Sequence, residues 1–325
     1  MRGKQLQFEL WQECNSRCKF CYLAHDNCYT SDKIKIDSIK MAYDKISDLS
    51  LYPEYSTISY LGGEFFQGQM KSKEVKEEFM NLIDKTVWLL NNEYIDTVWI
   101  YATLTIGDQK DLYETLEKFK GHKGNLWILT SYDTIGRFHT KKMEDNWSYH
   151  MKQIHKLYPD ILFNITTILT GDLIDKYLND EINFEKMMEE YHTKFFFKQC
   201  GNPYIHKTKQ DMNNVLPNFF PTRQKFLDFL IKFKQQESPE MWDKLFNIYY
   251  RADNLYRNFN DENEHMVEFV RDKDTSIEHS KYLEDPSLLN TVILPCGHMN
   301  SYQAYIDTDD CVLCDRQMIE EMCGD

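Results

Sequence analysis

The sequence predicts an α/β chain: a partial (β/α)6 TIM-type barrel, then a helical connector, then a small cysteine-rich C-terminal hairpin domain. Three observations carry that expectation. Six short apolar runs alternate with stretches of helical spacing over the first 199 residues. Near residue 203 the pattern changes to charged, aromatic-rich helical sequence such as TRQKFLDFLIKF. From residue 291 it becomes short and turn-rich, with four of the nine cysteines. Three regions follow: a barrel over 1–202, a connector over 203–290 and a tail over 291–325.

Each element has its own signal. Residues 5–11 read as a strand, and 36–49 as a helix through Ile39, Ala42, Ile46 and Leu49, apolar positions that recur on one helical face. A second strand at 56–61 ends in Gly62 and Gly63, and a long helix runs through Val75, Phe79, Leu82, Ile83 and Val87. Residues 97–105 make a third strand, with a helix over 109–119 that the Gly121 to Gly124 turn stops. The fourth strand is 126–131 and its helix 147–157; the fifth is 161–169 and the sixth 194–199. Between the last two, 173–191 reads as helical with a break near Asn179. Strands alternating with helices argue for a parallel sheet closed or partly closed into a barrel, whose sites lie at the C-terminal strand ends.

Composition narrows the function. The chain is 42% hydrophobic and 14% aromatic, with 12 Gly and 8 Pro, which excludes a disordered or low-complexity protein. A formal net charge of −14 opposes a general grip on phosphate backbones or anionic membranes, so nucleic acid is disfavoured as a partner. No run approaches the roughly 18 apolar residues of a membrane span, and no signal-peptide pattern opens the sequence. The expectation is a cytoplasmic protein. Its cysteines cluster at 14, 18, 21 and 28, then 200, then 296, 311, 314 and 323, which in that compartment points to metal or redox cofactors.

Cys14, Cys18 and Cys21 lie in the loop leaving the first strand, at spacings that let three thiolates converge on one cubane face. A closed zinc site or structural cluster takes four protein ligands, and no fourth follows at a regular spacing, Cys28 seven residues on being the only rival. Three thiolates leave one iron open for a chelating ligand. Arg17 and Lys19 beside them are expected to lower the thiol pKa values and offset cluster charge. The competing reading is a zinc knuckle.

This triplet, with the aromatic Phe20 before its third cysteine, resembles the radical S-adenosylmethionine superfamily across residues 5–200. The resemblance implies a 4Fe-4S cluster whose open iron is chelated by the methionine moiety of S-adenosylmethionine. Reductive cleavage then gives a 5′-deoxyadenosyl radical, with electrons from a donor such as flavodoxin or ferredoxin. It also implies roles for two further motifs. Gly62-Gly63-Glu64 at the end of the second strand looks like the family's Gly-Gly-Glu motif on the methionine amino group, where absent β-carbons let backbone approach a ligand. Ser131-Tyr132-Asp133 at the end of the fourth strand resembles the Ser-x-Asp segment on the cofactor ribose. Thr134 stands where that subgroup has Gly, and Arg137, Lys141 and Lys142 are the candidates for the carboxylate clamp. Local turn or cap roles are the competing readings for both motifs.

In the tail, IDTDDCVLC resembles the hairpin of SPASM and Twitch domains, which bind auxiliary 4Fe-4S clusters. Asp310 replaces the usual Gly, and the cysteines suffice for one cluster. Cys296, Cys311, Cys314 and Cys323 are the candidate ligands, for 4Fe-4S or for zinc, with His298 an alternative zinc ligand. Enzymes of this architecture act on peptides or proteins, or on small molecules and nucleosides. The first choice is hydrogen abstraction from a peptide or protein side chain, and the second a nucleoside or small metabolite. A zinc-binding interaction module without catalysis is the reading from a different class.

Overall fold

The computed structural model describes residues 4–14, 16, 18, 30–49, 55–66, 68, 70–199, 221, 223–246, 292–293, 299–300 and 323. Six strands, β1 (Lys4–Glu9), β2 (Tyr55–Leu61), β3 (Thr97–Tyr101), β4 (Asn125–Tyr132), β5 (Leu162–Leu169) and β6 (Lys194–Gln199), form one sheet in chain order. The register is parallel from β1 to β4. Among the described residues eight helices accompany them: α1 (Asp32–Ser47), α2 (Lys73–Asn91), α3 (Lys110–Lys118), α4 (Lys141–Leu157), α5 (Gly171–Leu178), α6 (Phe184–Tyr191), α7 (Arg223–Gln236) and α8 (Pro239–Phe246). Two short strands, β7 (Val292–Ile293) and β8 (Met299–Asn300), pair antiparallel on either side of Cys296. The tail motif IDTDDCVLC and the boundaries expected at 202 and 290 lie outside the described residues.

The chain divides into two compact units, 1–166 with 188–194, and 167–187 with 195–325. In the first, strand order equals chain order. Parallel crossovers are right-handed, so successive helices are laid on one face of the sheet. The contacts agree: Tyr60 of β2 donates its hydroxyl to Thr86 of α2 at 2.6 Å, and Trp147 of α4 donates to Thr130 of β4 at 3.1 Å. Even-numbered residues such as Phe8, Ile58, Tyr60, Val98, Ile100, Leu126 and Ile128 pack there and are almost wholly buried. The odd-numbered residues point the other way, because side chains alternate along a strand. Gln7, Ser59, Trp99 and Trp127 fall in one register row on that opposite face.

Helix starts follow side-chain caps. Ser31, Ser72, Thr140 and Thr170 each accept the backbone N–H three residues on, satisfying a donor that the helix itself cannot. Thr140 starts α4 six residues before the apolar periodicity begins at Trp147, because the first turn is largely solvent-facing. The expected break near Asn179 is real: Asn179 ends α5 and Asp180 takes φ 61°. β3 is shorter than expected, ending at Tyr101 and not at Thr105. Ala102 still donates to Leu129 of β4 at 3.0 Å, but the next N–H, of Thr103, turns to the Glu64 carboxylate at 2.7 Å, and Leu104 follows at φ 60°.

The second unit is built on rings. Tyr177 of α5 stacks on Phe184 of α6 at 5.3 Å, and Phe233 of α7 packs on Tyr177, Phe184 and Phe197.

Candidate active site at the strand ends

The C-terminal ends of β1 to β4 bring together the predicted residues that the structure describes in the first unit. Leaving β1, the chain runs Leu10, Trp11, Gln12, Glu13 to Cys14 directly against the turn that leaves β2. Gly63 N–H donates to Trp11 C=O at 2.8 Å, Glu64 N–H to Glu13 C=O at 3.0 Å, and the Trp11 indole to Glu64 C=O at 3.2 Å. A β-carbon on Gly62 would sit 2.2 Å from the Trp11 carbonyl oxygen, and one on Gly63 2.1 Å from that of Glu13. Gly62 also holds φ 147°, where side chains are strained. The close approach that these glycines permit is therefore by the chain's own cysteine-bearing segment. A Gly63→Val side chain would strike Glu13 before any ligand, so it does not isolate cofactor binding.

Glu64 lies under this crossing, 1% exposed, with one carboxylate oxygen accepting the Phe66 N–H at 2.9 Å and the other the Thr103 N–H at 2.7 Å. Burial raises its pKa, against the hydrogen bonds from Thr103 and Phe66 and the smaller pull of the Arg137 guanidinium. Phe65 and Phe66 anchor the turn against Phe79 of α2, at 6.0 and 6.1 Å between ring centres.

Cys14 is half-buried and Cys18 buried, both as thiols and not disulfides. The Cys14 thiol is pushed up to about 11, chiefly by burial, with hydrogen bonds from Ser16 opposing and the charges of Glu64 and Cys18 adding to the rise. The direction at Cys14 is opposite to the lowering expected from Arg17 and Lys19, and its largest cause is burial. Arg17, Lys19, Phe20 and Cys21 lie outside the described residues.

Sequence reasoning missed the hydroxyls and the histidine that tie this loop down. Ser16 Oγ lies 3.4 Å from Thr103 Oγ1, which lies 3.4 Å from Thr105 Oγ1, and His139 Nε2 donates to Ser16 C=O at 3.0 Å. No local pattern could have paired residues so far apart in sequence.

At the end of β4, Ser131 is half-buried and Asp133 fully buried. Asp133 accepts the Gly136 and Arg137 N–H groups at 2.5 and 3.1 Å, which makes it the organiser of a tight turn. Burial pushes its carboxyl up to about 6, against those bonds and the Arg137 charge. Arg137 acts on both Glu64 and Asp133, whereas Lys141 is exposed and paired with Glu144 and Asp145 on α4.

Of the tail residues, Cys323 is half-buried in a helical position, and Cys296, Cys311 and Cys314 lie outside the described residues. Among the described residues no three His, Cys, Asp or Glu groups converge as a metal site, and the triplet's third member is not one of them. The donors that are described fit a soft cationic group. Burial beside the Glu64 carboxylate favours the protonated Cys14 thiol, and a bound metal would convert it to a thiolate.

No protein family model matches the sequence, and no curated protein matches it. No helix among the described residues is long and apolar enough to cross a membrane.

Proposed function

We propose that this chain is a radical S-adenosylmethionine enzyme whose sheet curves into a partial barrel around the cofactor. The observation that carries the reading is the direct backbone contact between the Cys14 segment and the Gly62-Gly63-Glu64 turn at adjacent parallel strand ends. Cys14, Cys18 and Cys21 would hold a 4Fe-4S cluster, with Phe20 beside them. Such a cluster, when bound, would supply the one-electron chemistry that cleaves S-adenosylmethionine reductively and starts hydrogen abstraction from substrate. The chain's own residues bind and orient. Glu64 and its turn take the methionine amino group, and Ser131 takes the ribose. Arg137 takes the carboxylate, because it alone of the three candidate cations interacts electrostatically with both Glu64 and Asp133.

The substrate on this reading is a peptide or protein side chain. The face of β1 to β4 opposite the helices presents Gln5, Gln7, Glu9, Ser59, Trp99, Tyr101 and Trp127, none of them a cation; the basic residue on these strands, Lys4, stands at the start of β1, before a register irregularity. Polar atoms of Gln5, Ser59 and Trp99 are buried there with no partner among the described residues. Amides, hydroxyls and indoles without a cation suit a neutral or basic peptide and oppose a phosphorylated nucleoside or anionic metabolite.

Protein reconstituted anaerobically with iron and sulfide, then given dithionite and S-adenosylmethionine, is expected to release 5′-deoxyadenosine. Changing Cys14, Cys18 and Cys21 together to Ala should abolish release. Undiminished release from that variant would overturn the site, and absence of iron and sulfide from the wild type would favour the zinc module.

A further inference from the structure

On α1 the buried positions are 35, 39, 42 and 46, the apolar stripe of a helix packed on a sheet. Three of them are Ile39, Ala42 and Ile46; the fourth is a lysine. Lys35 is 3% exposed, and its ammonium lies 2.6 Å from Glu13 Oε2 and 5.6 Å from the centre of the Trp11 ring. Lysine is almost never buried this deeply without a partner, and an aliphatic residue would serve packing better.

What the lysine holds explains its place. Glu13 immediately precedes Cys14, and its two ends tie three pieces of chain. Its backbone carbonyl accepts the Glu64 N–H at 3.0 Å. Its carboxylate accepts the Thr30 N–H at 3.5 Å as well as Lys35. The exit of β1, the turn after β2 and the entry to α1 therefore meet at one residue, next to the first cysteine. A carboxylate so placed, with its side chain 22% exposed, would turn to water without a fixed cation.

We propose that Lys35 is a positioning residue for the cysteine segment: through Glu13 it fixes where Cys14 and Cys18 stand relative to the Gly62-Gly63-Glu64 turn. The assignment of those thiols as cluster ligands rests on the function proposed above, but the latch is built from the chain's own residues.

The test is made first on the full-length protein without metal. Lys35→Met keeps the length and packing of the side chain and removes the charge. Hydrogen exchange of amides in 11–18 and 30–35 is expected to accelerate about ten-fold or more, as for a segment released to open locally, while the remaining β1 to β4 amides keep their protection. Lys35→Arg is expected to restore most of it. Glu13→Gln should resemble Lys35→Met, and the double variant should be little worse than either single one, since both break the Lys35–Glu13 ion pair. After anaerobic reconstitution, Lys35→Met should lose bound iron to a chelator several-fold faster than wild type and Lys35→Arg.

Unchanged exchange in 11–18 in folded Lys35→Met protein would overturn the proposal. So would exchange that accelerates uniformly across the first unit, because that is loss of α1 packing and not of a latch. If exchange changes as expected but neither wild type nor variant takes up iron, the latch stands and the cluster reading falls.

Discussion

At Asp133 a carboxylate has been removed from water in order to shape a turn. Its folded pKa, about 6, lies above the ordinary 3.8, so the folded chain binds a proton that the unfolded chain has already released. Stability contributed by this group is greatest below pH 3.8 and declines as pH rises through 3.8 to about 6, levelling off above that as the buried charge becomes complete. The full effect is at most about 3 kcal/mol, from roughly two units at 1.36 kcal/mol each. Asp133→Asn keeps an oxygen for the Gly136 and Arg137 N–H groups and cannot ionise. Thermal melts from pH 3.5 to 7 should show the variant gaining on wild type through that window and holding its advantage above it. A constant difference at all pH values would mean that the Asp133 carboxyl titrates alike in the folded and unfolded chain, and would overturn the upward shift.

On the scale of elements, Glu237 joins Asn183 in capping α6: Asn183 accepts the Lys186 N–H at 2.8 Å, and Glu237 takes the first two N–H groups from a distance in sequence. It follows α7, is 6% exposed, and accepts the Phe184 and Glu185 N–H groups at 3.2 and 2.9 Å, together with the Tyr177 hydroxyl at 3.0 Å. One carboxylate thus caps the start of α6 and binds α5 to α7. Glu237→Ala leaves three buried donors unpaired and is expected to cost about 2–4 kcal/mol in urea unfolding, with Glu237→Gln costing clearly less. Equal effects would show that volume matters here and hydrogen bonding does not. The same distance in sequence explains what could be read in advance. Strands and helices were legible as apolar periodicity, and the break after Asn179 as a polar interruption, since those signals are local. The early end of β3 was not, because Thr103 is claimed by a carboxylate 39 residues back. Nor was the start of α4, whose first turn buries little and announces itself only by its Thr140 cap.

For the whole molecule, the candidate site was half legible. Cys14, Cys18 and the Gly-Gly-Glu turn stand out by spacing and by position after a strand. Ser16, Thr103 and His139 are joined across 87 and 123 residues, and Lys35 looked like any helix lysine. The tail offers the reverse situation, legible cysteines with three of the four outside the described residues. If Cys296, Cys311, Cys314 and Cys323 hold a second cluster, reconstituted wild type should carry about eight irons, two cubanes of four, and the Cys14/Cys18/Cys21 variant about four. If they hold zinc, that variant should lose essentially all iron and keep one zinc per chain. Metal analysis with Mössbauer spectra distinguishes these outcomes, and a variant with neither metal would show that the tail is no metal site.

The order of the sheet has a consequence in time as well as in space. Because β1, β2, β3 and β4 lie side by side in the order in which they occur, each strand leaving the ribosome finds its partner already made. Every described group of the candidate site, from Trp11 to His139, has been synthesised before half of the 325 residues exist. The thiols can thus be gathered at the strand ends while the connector and tail are still being translated. On the function proposed above, a growing chain, and not only a finished one, would then be a substrate for the machinery that delivers iron and sulfur.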